Sequence, residues 1–192
     1  VTIVGAGTAN ITASQAGNTT YAAAANVIQQ LTINKKALSV TAITDTKIYD
    51  GTTVSTAIPT VGTLATGDAI NVAPTQVFDN AAVGTTHVLT ASGLTIKNGS
   101  ADVTGNYDIS YATATGTINK LGVTVTAVAD TKTYDGTTVS TAIPTVGTLA
   151  TGDAIDVAPA QVFDNASVGT AHVLTASGLT IKNGSADVTG NY

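Results

Sequence analysis

The 192-residue chain has no cysteine, methionine, tryptophan, arginine or glutamate. Without cysteine there is no disulfide framework and no thiolate metal site. All charge sits on seven lysines and twelve aspartates, 10% of the residues, against about a quarter in ordinary domains. The net charge of −5 is spread without a basic cluster, which argues against nucleic acid as a partner. No apolar run approaches the roughly 18 residues of a membrane span. No signal peptide is visible behind Val1, which does not read as a native start. Aromatics are scarce, with six tyrosines and two phenylalanines, so little surface of the kind that anchors glycans or protein partners is on offer. The Thr/Asn-rich, weakly charged surface that remains resists association poorly and suits a protein that packs laterally or touches other surfaces.

What the chain does contain is a copy of itself. Residues 49–107 return at 134–192, offset by 85, with four differences: Asn71/Asp156, Thr75/Ala160, Ala82/Ser167 and Thr86/Ala171. A repeat of this length is a domain rather than a solenoid rung, so the chain reads as an array. The diverged stretch just before the copy is more telling than the near-identical block. Leu38, Val40 and Ala42 alternate with Ser39 and Thr41, and the later copy keeps the alternation as Val123, Val125 and Ala127 with Thr124 and Thr126. Letters changed while period 2 did not, which predicts strands over 37–43 and 122–128. Further strands are expected at Ala69–Val72, Thr75–Phe78, Thr86–Thr90, Leu94–Lys97 and Ile109–Ile118, separated by Asp50-Gly51, Gly67-Asp68, Asp79-Asn80, Asn98-Gly99 and Gly105-Asn106. Asn98-Gly99 reads as a tight turn compatible with type I′. Pro59, Pro74, Pro144 and Pro159 belong at edges or strand starts, because proline has no ladder donor. The pattern implies an all-β fold of sandwich beads.

Three segments follow: 1–35, the C-terminal part of a preceding β module ending in a strand near Val27–Ile33; 36–120, a complete repeat; and 121–192, a second repeat without a counterpart of Asp108–Lys120 and hence without its final strand. Only two or three residues separate one segment's last strand from the next segment's first, so the beads should be stiffly coupled into an extended rod. The chain is expected to be a window on a longer polypeptide. A sharper expectation is strand complementation, with residues 22–34 of one molecule filling the slot of another.

The run Lys47-Ile48-Tyr49-Asp50-Gly51-Thr52-Thr53, with Gly67-Asp68, Phe78, Val83-Gly84, Ser92-Gly93-Leu94, Asn106-Tyr107 and Ile118, resembles the YDG repeat of filamentous-haemagglutinin-like and other large secreted bacterial adhesins. Residues 1–35 look like the tail of an MBG or bacterial Ig-like module. The resemblance implies Ig-like β-sandwich beads, an extracellular, bacterial cell-surface location, and a structural stalk or filament whose partners are neighbouring repeats or copies of itself. It carries over no catalytic residue. The alternative is an adhesive module recognising a glycan or host protein.

Candidate chemistry is thin, and no enzyme is expected. His87 and His172 are the only histidines; Asp79 and Ser92 lie near His87 in sequence, but no nucleophile elbow accompanies them, and a surface strand histidine is the expected role. Tyr49 and Tyr107 are read as structural, the latter as a buried corner tyrosine. Asp45, Asp50, Asp102 and Asp108 could reach a calcium ion only if loops converge, and none has the acidic spacing of a calcium loop. An isopeptide at Lys47 or Lys97 would need a buried lysine, its partner and an acid. The sequons at Asn10, Asn18, Asn98, Asn165 and Asn183 matter only in a eukaryotic secretory pathway. No catalytic, cofactor-binding or metal residue is assigned.

Overall fold

The computed structural model describes residues 4–192. Its regular structure is nearly all β. In chain order the strands are β1 (Gly7–Gln15), β2 (Ala24–Ile33), β3 (Lys36–Thr41), β4 (Asp45–Ile48), β5 (Thr60–Val61), β6 (Asp68–Val72), β7 (Thr75–Phe78), β8 (Gly84–Ser92), β9 (Thr95–Asn98), β10 (Ala101–Asp102), β11 (Tyr107–Ala112) and β12 (Ala114–Asn119). The remainder are β13 (Val125–Thr126), β14 (Thr145–Val146), β15 (Asp153–Val157), β16 (Ala160–Phe163), β17 (Leu174–Ser177), β18 (Thr180–Asn183) and β19 (Ala186–Asp187). Single 3₁₀ turns occupy Thr104–Asn106 and Thr189–Asn191. All four prolines are buried and stand immediately before β5, β7, β14 and β16, where their missing N–H is not needed by a ladder.

Two compact units share the chain. The first comprises Val1–Ile43, Thr56–Gln76 and Thr90–Ala114. In it β1 and β2 form an antiparallel ribbon from Gly7↔Ile33 to Gln15↔Ala24, with a register shift after Ala13. Residues 22–34, the expected donor, are thus largely engaged with β1. Strand β3 lies between β11, which runs parallel to it from Tyr107↔Lys36 to Ala112↔Thr41, and the antiparallel β5. Its alternation is as the sequence has it: Leu38 and Val40 are buried, Ser39 and Thr41 exposed. With Ala42, Ala91, Leu94, Ile96 and Tyr107 they form this unit's core.

A buried amide extends that core past the end of β3. Gln76, 1% exposed, accepts from Ile43 N–H at 2.9 Å and donates to Ile43 C=O at 2.8 Å. One side chain thereby satisfies both polar groups of a residue that has left the ladder. Gln76→Leu keeps the bulk and removes both bonds, so a loss of about 1–3 kcal/mol is expected, read as a lower urea midpoint at unchanged slope.

The second unit comprises Thr44–Ser55, Val77–Leu89 and Thr115–Tyr192. Strand β12 runs parallel to β4 from Gly116↔Asp45 to Asn119↔Ile48, within a sheet of order β4-β12-β8-β7. Phe78, Leu89 and Ile118 are almost wholly buried here. The later repeat contributes the pairs β13–β14 and β16–β17 and the three-stranded β15–β18–β19. Ala150, Ile181 and Gln161 are buried in it along with Pro144 and Pro159, and Gln161 holds Val128 N–H and C=O as Gln76 holds Ile43.

Several expectations need correction. The strand expected at 122–128 shrinks to Val125–Thr126. Its counterpart β3 is flanked by β11 and β5, whereas β13 pairs with β14 alone; an alternating sequence without a ladder partner is not held extended. The strand expected at Ile109–Ile118 is two, broken at Thr113, because the chain changes partner from β3 to β4 there. Strands β1 and β4 were not anticipated. The type I′ turn is excluded: Asn98 pairs with Ala101 and belongs to the strand. Only Gly99 of the two turn residues has positive φ, +57°, whereas type I′ needs it at both.

Candidate functional site

Two groups of the residues singled out from the sequence lie in the second unit. One surrounds Tyr49. The loop that carries it is tied from below by Lys47, whose Nζ contacts Asp50 Oδ1 at 2.7 Å and donates to Thr52 C=O at 3.0 Å, Thr52 Oγ1 at 3.1 Å and Val54 C=O at 3.0 Å. The same ammonium lies 5.6 Å from the Phe78 ring centroid, a cation–π distance. Asp50 accepts from Thr52 N–H and Oγ1–H, both at 2.9 Å. Burial pushes the Asp50 carboxyl up, and these bonds together outweigh it and hold the group below the usual range. Lys132 ties the second loop in the same way and holds Asp135 down at about 2.

Tyr49 is 4% exposed. Its hydroxyl donates to Asp153 Oδ2 at 2.9 Å, and its ring meets Tyr192 edge-on at 5.6 Å and 77°. Tyr192 donates to the same Asp153 oxygen at 2.7 Å and accepts from Ala150 N–H at 2.9 Å, while Asn183 Nδ2 occupies Asp153 Oδ1 at 2.7 Å. A Cβ built on Gly51, whose φ is +80°, would stand 2.5 Å from Thr151 C=O, so the close approach and the left-handed backbone both call for glycine. Beside this cluster Asn191 Oδ1 accepts from Val83 N–H at 3.0 Å and Lys120 Nζ reaches Tyr192 C=O at 3.1 Å.

In the first unit Tyr107 is the expected buried tyrosine. It donates to Asp68 Oδ2 at 2.6 Å and accepts from Ala65 N–H at 2.8 Å, with Asn98 on Asp68 Oδ1 at 2.8 Å. Asn106 Oδ1 accepts from Ala6 N–H at 2.8 Å.

The tyrosine clusters should be sensitive to alkali. Burial, assisted by the Asp153 carboxylate, pushes the Tyr192 hydroxyl up to about 12; burial and Asp153 likewise raise Tyr49, and burial and Asp68 raise Tyr107. The folded state therefore favours the protonated phenol. Its stabilisation is fully present below the ordinary value of 10 and is lost as pH rises through about 12. Melting temperature should hold level up to pH 10 and fall between 10 and 12; a flat profile to pH 12.5 would contradict the cluster.

The second place is His87. Its Nδ1 lies 2.7 Å from Asp79 Oδ1, and its ring meets Phe78 edge-on at 5.8 Å. The hydrogen bond from His87 holds the Asp79 carboxyl below its usual range. The expected surface position is wrong: His87 is 7% exposed, on the face of β8 that also buries Leu89 and Ala91. Nε2 is enclosed without a hydrogen-bond partner and faces Gly84, where a Cβ would approach it to 2.9 Å. A base needs its free nitrogen turned to a substrate; this one is turned to backbone, and Ser92 is not among its bonded partners. His172 pairs with Asp164 at 2.7 Å in the same way.

The four aspartates weighed for calcium are not brought together. Asp45 accepts from Ser55 Oγ and Asp102 from Thr104 N–H. Among the described residues no three acidic or histidine side chains converge. Lys47 is largely enclosed, but its partners include one carboxylate and no second acid to assist isopeptide formation. Sequence reading missed Gln76, Asn106 and Asn191, and the locking role of Lys47; lysine three residues before Asp50 was the available signal.

A nearly all-β chain built from two copies of one repeat is the class that these observations define. The YDG domain matches residues 34–115 and again 119–192, and the chain belongs to the YDG domain family. No curated protein and no solved structure matches it. Among the described residues no helix is long and apolar enough to cross a membrane.

Proposed function

We propose that this chain is a stretch of structural repeats from a large secreted bacterial surface protein of the adhesin type, in which Ig-like β-sandwich beads follow one another as an extended, stiff rod. Its task on this reading is length and spacing, with neighbouring repeats as its main partners. The observation that carries the reading is the Tyr49–Asp153 hydrogen bond: a side chain of one YDG repeat is buried against a carboxylate of the next, with only the short segment Lys120–Thr124 between their strands. A flexible tether would leave such groups in water. The sparse charge and the enclosed His87 agree with a scaffold, and the extracellular, cell-surface location is inferred from the family resemblance. Small-angle scattering of the 192-residue protein tests the shape. A compact chain of this length has a radius of gyration of about 16 Å. A value well above that, with the linear decay of a rod cross-section, is expected; the compact value would defeat the proposal.

A further inference from the structure

The Tyr-Asp-Gly segment occurs twice with one sequence and one internal geometry, yet its two copies meet opposite surroundings. Lys47 and Lys132 make matching bonds to their loops, so the loops themselves do not differ. Tyr49 is 4% exposed and Tyr134 is 66% exposed. A Cβ on Gly51 strikes Thr151 C=O, whereas one on Gly136 meets nothing within 4 Å. Val83 donates its N–H to Asn191, whereas its counterpart Val168 is 87% exposed.

The receiving side is duplicated as well. Asp153, Tyr192, Ala150 and Asn183 are bonded at 2.7–2.9 Å. Asp68, Tyr107, Ala65 and Asn98 are bonded at 2.6–2.8 Å in the same pattern. The arrangement forms with Tyr49 against it in the later repeat, and forms alike in the earlier one, so it is preorganised. The asparagine next to each tyrosine repeats its contact too: Asn191 takes Val83 N–H, and Asn106 takes Ala6 N–H from the segment before the first repeat.

We infer that the Tyr-Asp-Gly segment is a docking plug, that the aspartate–tyrosine pair spaced 39 residues apart is its socket, and that Tyr134, Gly136 and Val168 form an open plug whose partner is a further YDG repeat. Tyr134 gives its hydroxyl to that repeat's aspartate and its ring to that repeat's tyrosine, and Val168 N–H goes to the adjoining asparagine. The inference rests on the tandem-repeat reading in one respect, that a further repeat is present to be met.

The test compares Tyr49→Phe with Tyr134→Phe in the 192-residue protein and in a chain lengthened after Tyr192 by a second run of residues 108–192. In the original chain Tyr49→Phe should lower the melting midpoint by about 2–8 °C and Tyr134→Phe should leave it in place. In the lengthened chain the two should cost alike. Nitration by tetranitromethane, mapped by peptide mass, reads the contact directly: Tyr134 reacts in the original chain and is protected in the longer one, while Tyr49 is protected in both. Tyr134 still reactive in the longer chain, or Tyr49 nitrated and its substitution silent in the original, overturns the inference. Neither result bears on the scattering radius, and a compact radius leaves these outcomes intact, so the two proposals fail separately.

Discussion

Phe78→Ala should destabilise the protein by about 3–5 kcal/mol, the range for emptying a large aromatic site in a packed core. Phe78 is 2% exposed and contributes to a cluster with Leu89, His87 and Ile118 on the sheet that β12 completes. The instructive comparison is Phe163→Ala, the same letter in the same local sequence. Phe163 is only half-buried and lines a cleft of about 500 Å³ with Lys132, Tyr134, His172 and Leu174. The space that β12 fills beside Phe78 has no equivalent strand beside Phe163. Truncation there removes fewer contacts and leaves a site already open to water, so its cost should fall well below that of Phe78→Ala. Paired urea titrations of the two variants check this; equal losses would mean that the two repeats are packed alike.

Gly116→Ala should also destabilise the protein, for the opposite reason. Gly116 lies in β12 with ordinary negative φ, so the backbone accepts alanine. Space does not: a Cβ would stand 2.6 Å from Phe78 Cε1 and 3.1 Å from Leu89 Cδ1. Phe78 and Leu89 are both enclosed and cannot swing aside, so the methyl must displace either a rigid ring or β12 itself. Overpacking of this kind costs about 1–3 kcal/mol. Combining it with Phe78→Leu should recover part of the loss, because the smaller side chain vacates the contested volume. A double-mutant cycle on urea midpoints measures that coupling, and strict additivity of the two changes would rule out the clash.

Much of the fold was legible because β patterning is local. Leu38 and Val40 alternate with Ser39 and Thr41, and they alternate inward and outward in β3. Strands β6 to β9 fall close to where side-chain period and turn residues put them. The break at Thr113 was not legible, since Ile109–Ile118 alternates without interruption and only the change of partner from β3 to β4 divides it. His87 was misplaced on the surface for a related reason. A polar letter in a strand says nothing of a buried aspartate-bonded position beside Phe78. The candidate site was legible as a motif and opaque as an interaction: Tyr49-Asp50-Gly51 announces a turn, but Asp153 lies 104 residues away.

By itself the sequence determined that the chain is β, that it is made of repeats, and that no cysteine or acidic loop motif offers a metal site. Those conclusions depend on residue types, on neighbours within a few positions and on matching the chain to itself at an offset of 85. Tertiary structure alone decided the fate of the duplicated letters. Tyr49 and Tyr134, Phe78 and Phe163, and the strands at 37–43 and 122–128 have the same or equivalent local sequences, and they differ in burial or pairing. Burial and strand pairing are free energies of contact with distant partners, and identical segments have identical propensities but different partners. Only the three-dimensional arrangement distinguishes the Tyr-Asp-Gly segment buried against Asp153 from the one left open at Tyr134.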